Sequence, residues 1–155
     1  MRIRGIELLR SLAEEHGVLL RCHRVLLRTR HCLDQRVLAR TFELRDIDPA
    51  RIAVAGFSDG ASYSLSVGLA NGDFFSAIFG FSPGFIVPGE FKGKPPVFIS
   101  HGTIDPILPI DDCSRRIVPN LKRMGYKVTY REFEGKHTLP PEVASEAMRW
   151  FMSLA

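Results

Sequence analysis

The sequence predicts an α/β fold: a parallel sheet with helices on both faces, built as one domain over residues 1–155. Three observations predict it. Short β-rich apolar runs alternate with helical stretches along most of the chain, which is how parallel strands joined by helical crossovers read. Ile52 to Gly56 is continuously apolar, as in a strand covered on both faces. No internal repeat or long linker divides the chain, and 155 residues suffice for one sizeable core but not two.

Each element has a local reason. Ile6, Leu8, Leu9, Leu12 and Ala13 recur at helical spacing before Gly17, so Arg4 to His16 is an amphipathic helix with a left-handed stop. Val18 to Leu20 reads as a short strand, Arg21 to Asp34 follows neither period, and Gln35 to Leu44 is helical again. After the polar turn around Pro49 comes the strand Ile52 to Gly56, and then small and apolar residues from Ala61 to Ala70 form a buried helix ended by Asn71-Gly72. Phe75 to Phe81 and Val97 to Ser100 are further strands, separated by a Pro- and Gly-containing loop. Asp111 or Asp112 is expected to cap a helix running to about Met124, where Gly125 ends it. Val128 to Phe133 alternates like a strand with one exposed side. Pro141 opens a last helix with Val143, Ala147, Met148, Phe151 and Leu154 as its apolar stripe and Trp150 at its edge.

Composition excludes several classes. With 45% hydrophobic, 25% charged and 10% aromatic residues the chain is not of the disordered type. No apolar run approaches the roughly 20 residues of a membrane helix. Three cysteines, Cys22, Cys32 and Cys113, are too few and odd in number for a disulfide scaffold. Glu7, Glu14 and Glu15 interrupt any secretory apolar stretch, so the expected location is the cytoplasm. The net charge of +4 is uneven: eleven arginines against seven acidic residues lie in 1–51, whereas 52–155 is neutral.

The chemistry sits in that neutral part. Gly56-Phe57-Ser58-Asp59-Gly60 fits G-x-S-x-G between a strand and a small-residue helix. A sharp strand-to-helix turn there exposes a serine in a strained conformation at a helix N-terminus, and flanking glycines keep Cβ atoms out of the turn. A serine hydroxyl needs a base, and the base needs a carboxylate to orient it. Asp105 follows the strand Val97 to Ser100 in His101-Gly102-Thr103-Ile104-Asp105-Pro106, and His137 follows the strand Val128 to Phe133. The strand order therefore brings Ser58, Asp105 and His137 to the carboxyl ends of a parallel sheet, where ligands bind. Each has a plainer reading: a capping serine, a turn-initiating aspartate before proline, a loop histidine. Asp73, Asp111 and Asp112 are alternative acids, though Asp73 lies too soon after the serine helix and the other two suit helix caps. His16 and His23 precede the serine, and His101 is expected to pack within the Asp105 loop.

Taken in order, the Ser58 pentapeptide, His101-Gly102-Thr103-Ile104-Asp105 with Pro109 beyond it, and His137 resemble the phospholipase/carboxylesterase branch of the α/β-hydrolase fold. The resemblance covers about Asp48 to Ala155, with 1–47 divergent or incomplete. It implies hydrolysis of a small-molecule carboxylic ester or thioester through an acyl-enzyme, without a cofactor. It makes Ser58 the nucleophile, His137 general base and then acid, Asp105 its orienting partner, and the Asp59 N–H an oxyanion donor. Asp59, Ala61 and Lys136 stand where relatives commonly have Gln, Gly and Gly.

The larger departure lies upstream. The family's sheet begins with several strands before the serine, and a His-Gly loop supplies a second oxyanion donor whose loss costs on the order of 10²- to 10³-fold in kcat. Only Arg4-Gly5 resembles a trace of it. The strand that normally pairs with Ile52 to Gly56 is missing, so the expectation is either pairing of Val18 to Leu20 there or self-association along that edge. Arg21 to Arg40 holds six arginines but no interleaved aromatics, so nucleic acid is not expected. Cys22-His23 and His31-Cys32 lack the usual gap between zinc ligands, so no metal is expected. The competing reading is a catalytically impaired remnant or a binding module that uses its arginines.

Overall fold

A computed structural model describes residues 4–15, 42–44 and 46–154. Four strands, β1 (Ala53–Phe57), β2 (Ala77–Phe81), β3 (Val97–Gly102) and β4 (Val128–Phe133), form one parallel sheet in the order β1-β2-β3-β4. The helices are α1 (Arg4–Glu15), α2 (Asp59–Ala70), α3 (Ser114–Arg123) and α4 (Pro141–Met152), with a short 3₁₀ turn at Pro49–Arg51. Residues 42–44 are helical, as expected. The strand expected at Val18 to Leu20 and the Cys22-His23 and His31-Cys32 pairs lie outside the described residues.

Alternation along the central strands explains the two layers of helix. Ile78, Val97 and Ile99 face a cluster with Leu65 and Leu69 of α2 and Ile117, Val118 and Leu121 of α3. Phe79, Phe81 and Phe98 face the other way, against Val143, Ala144, Ala147 and Phe151 of α4, with Leu12 of α1 at the margin. Residues two apart share a face of a strand, so each strand feeds both cores. Trp150 meets Phe79 edge-on at 5.2 Å between centroids. Helix α2 carries serines because it also serves the loops: Ser64 donates to the Phe79 carbonyl, and Ser62 and Ser66 accept from the backbone of Gly84, Phe85 and Val87.

Three expectations need correction. β1 is half-buried with Ala55 exposed, not covered on both faces, because among the described residues it is an edge strand. Asp111 and Asp112 do not cap α3, whose N-cap is Cys113; their carboxylates instead accept from Arg115 and Arg116 one turn on. Leu154 is not part of the α4 stripe, since the helix ends at Met152 and Leu154 is exposed. Gly125 does end α3 in a left-handed conformation, φ 84°.

Candidate active site

The turn from β1 into α2 sets the first side chain. Ser58 has φ 58° and ψ −124°, a backbone conformation that non-glycine residues rarely adopt. The turn is tight enough that a Cβ on Gly56 would collide with the carbonyl of Gly60, whereas a Cβ on Gly60 would meet nothing within 4 Å. Only the first of the two flanking glycines is therefore demanded by packing. The Ser58 N–H donates to the Phe81 carbonyl at 2.9 Å, fixing the elbow to the end of β2. Asp59 opens α2, so its N–H has no carbonyl one turn back within the helix to bond and is one of the donors that make up the helix's positive end.

The loops after β3 and β4 bring two more groups to that point. His137 Nε2 lies 2.8 Å from Ser58 Oγ, and His137 Nδ1 lies 2.6 Å from Asp105 Oδ2. Because the carboxylate accepts, Nδ1 carries the proton, which leaves the Nε2 lone pair facing the serine hydroxyl. Gly102 permits this approach: a Cβ there would strike the carbonyls of Gly135 and Lys136 in the histidine loop. The Phe57 ring lies 4.8 Å from the His137 ring, between centroids, and limits its rotation.

Asp105 also takes the turn-forming role open to it before Pro106. Its Oδ1 accepts from the N–H groups of Ile107 and Leu108 at 2.8 and 3.0 Å. Burial on its own would raise the Asp105 pKa. The hydrogen bonds from Leu108, His137 and Ile107 outweigh burial and hold it below the ordinary value of 3.8. The Asp105 side chain is fully buried while His137 remains 16% exposed, so the acid is shielded and the base can be reached.

Ser58, Asp105 and His137 thus meet at the carboxyl ends of the strands, and Asp59 follows Ser58 as the first residue of α2. Asp73, Asp111 and Asp112 make no hydrogen bond to His137. What the sequence reading missed is the support: the Phe57 ring, and the Ser114 hydroxyl and Leu108 carbonyl that receive His101. His101 packs in the Asp105 loop as expected, but as a hydrogen-bonded group, with Nδ1 2.6 Å from Ser114 Oγ and Nε2 2.8 Å from the Leu108 carbonyl. No spacing signal marks Ser114 as a partner, since the contact is made across a loop.

A parallel sheet with helices on both faces, a serine on a strained elbow and a histidine and aspartate from later strand ends define an α/β-hydrolase. The chain belongs to the phospholipase/carboxylesterase family, whose model matches residues 28–154. It is 31% identical over 110 residues to acyl-protein thioesterase 1 of Gibberella zeae, covering 64% of this chain and 46% of that protein. With acyl-protein thioesterase 1 of Emericella nidulans it shares 30% identity over 98 residues, 57% of this chain and 41% of the relative. The matched part is therefore about half the length of these curated relatives. Among solved structures, the esterase PE8 superposes with a TM-score of 0.68 at 24% identity, over 97% of this chain and 65% of the other. The Bacillus cereus carboxylesterase gives 0.63 at 21% identity over 77% and 56%. At those identities the likeness shows the fold alone.

Proposed function

We infer that the protein is a serine hydrolase that cleaves a small carboxylic ester or thioester through an acyl-enzyme, using Ser58, His137 and Asp105. The observation that carries this reading is the continuous chain from Ser58 Oγ to His137 Nε2 and from His137 Nδ1 to Asp105 Oδ2, at 2.8 and 2.6 Å. His137 Nε2 takes the Ser58 proton as Oγ attacks the acyl carbon. The tetrahedral oxyanion accepts the Asp59 N–H, reinforced by the helix end. Collapse expels the alcohol or thiol with the proton from His137, leaving Ser58 acylated. Water attacks the acyl-enzyme in the same way in reverse, His137 now removing the water's proton and returning one to Ser58. Asp105, held ionised by its neighbours, keeps the histidine in the required tautomer and balances its charge.

On this reading residues 1–155 act as one domain, with the chemistry carried by 48–155, and no cofactor enters the cycle. Among the described residues no helix is long and apolar enough to cross a membrane. The free, buried Cys113 suits a reducing compartment, the cytoplasm. The outer edge of β1, unpaired among the described residues, supports self-association there, because unpaired strand edges seek partners. Sedimentation giving a monomer at all concentrations would remove that part. The hydrolytic reading is tested by mixing the protein with excess p-nitrophenyl acetate: a burst of one p-nitrophenol per chain and an acetyl group on Ser58 by mass spectrometry are expected. Turnover of the ester with no adduct on Ser58 after rapid acid quench would contradict it.

A further inference from the structure

His101 faces the same carboxylate as His137 but does not reach Ser58. It lies near the end of β3, and its side chain is completely enclosed. Nε2 lies 2.8 Å from the Leu108 carbonyl and 3.3 Å from Asp105 Oδ2. Both oxygens only accept, so Nε2 carries the ring proton. Nδ1 then presents a lone pair, and at 2.6 Å it accepts a hydrogen bond from the Ser114 hydroxyl.

These bonds close a loop around the acid. Leu108 donates its N–H to Asp105 Oδ1 and offers its carbonyl to His101, while the same His101 N–H faces Asp105 Oδ2. Ser114 opens α3, which is held in the core through Ile117 and Leu121. The acceptors at Nε2 set the tautomer, and the Ser114 hydroxyl of α3 satisfies the Nδ1 lone pair that this leaves. A leucine at 101 would fill much of the same space and leave the Leu108 carbonyl without this donor.

We propose that His101, held as its Nε2–H tautomer by the Leu108 carbonyl and the Asp105 carboxylate, is a positioning residue that fixes the rotation of that carboxylate and through it the direction of the His137 ring. The inference rests on the hydrolytic reading above and adds a residue to it. The charged and titratable groups around His101 are Asp105 and His137 from the two loops, Glu132 opposite it on β4, and Cys113 and Arg115 on either side of Ser114. Arg115 holds Glu132 through two hydrogen bonds, at 2.9 and 2.7 Å, which leaves Asp105 as the carboxylate that His101 engages. Burial lowers the His101 pKa against the opposing pull of the Leu108 carbonyl and Asp105, which supports the neutral ring that the geometry requires.

Three variants test this: His101→Leu, which keeps bulk and removes the donor; His101→Gln, which returns an N–H near the position of Nε2; and Ser114→Ala, which leaves Nδ1 without its donor. His101→Leu should lower kcat on a short p-nitrophenyl ester on the order of tenfold to a hundredfold with KM unchanged, from losing the buried hydrogen bond to the Leu108 carbonyl and the polar contact with the carboxylate. Gln should restore most of the rate, and Ser114→Ala should show a smaller loss in the same direction. The His137 Nδ1–H proton resonance should be displaced in the Leu variant and return in the Gln variant. A folded His101→Leu protein with unchanged kcat and resonance would overturn the proposal, as would Gln behaving no better than Leu. A wild-type protein that forms no acyl-Ser58 would sink the hydrolytic reading instead, while the resonance would still decide the role of His101.

Discussion

Two histidines approach the same oxygen of one carboxylate, and they differ in what encloses them. His137 hangs in the loop after β4, partly open to solvent, with a hydroxyl on its free nitrogen that is itself only half-buried. His101 is enclosed between β3 and α3, with its second nitrogen filled by Ser114. On the proposed reading the same imidazole is a proton carrier where one nitrogen faces a reachable nucleophile and a fixed strut where both nitrogens face protein. Environment assigns the role, and residue type alone does not.

The sharpest way to break the comparison is to remove each histidine. His137→Ala should lower kcat/KM by roughly 10⁴-fold or more, since the serine loses its base. An unchanged rate would remove His137 from the mechanism. Asp105→Asn should cost on the order of 10⁴-fold, because an amide N–H facing Nδ1 favours the wrong tautomer; steady-state kinetics on the same ester would show it. His101→Leu stands well below both, and a loss as large as that of His137→Ala would mean that the two histidines are not distinct in role.

A smaller effect lies in stability against pH. His101 has a folded pKa lowered from 6.5, chiefly by burial, so the unfolded chain takes up its proton first as pH falls. The stabilisation from the neutral ring is complete above 6.5 and is lost as pH drops through the folded value. Asp105, also lowered, adds a second loss that begins only below about 3.8. Thermal melts of wild type should weaken in both windows, and those of His101→Leu only in the lower one. Identical pH dependence in the two proteins would show that His101 is not held neutral by the fold.

Much of this was legible from residues. Alternation of apolar runs and helical periods gave four strands and their helices, because each strand's odd and even residues must feed separate cores. The Ser58 turn was legible because Gly56 stands two residues before a serine between an apolar run and a small-residue helix, where the tight turn leaves no room for a Cβ. Gly60 misled, since its site has room for a side chain. The caps of α3 misled too: Asp111 and Asp112 precede the helix at plausible spacing, but Arg115 and Arg116 compete for them one turn on. The burial of β1 depended on what lies beside it in the sheet, which an apolar run does not encode. The pairing of His101 with Ser114 joins residues 13 apart across a loop, and no local period reports such a contact.

The central claim is that Ser58 is an activated nucleophile, and labelling with a fluorophosphonate probe tests it most directly. Wild-type protein, shown to be folded by circular dichroism, should be phosphonylated on the peptide carrying Ser58. Labelling should vanish in Ser58→Ala and slow by orders of magnitude in His137→Ala. A folded wild-type protein left unlabelled, or labelled equally well without His137, would contradict the account.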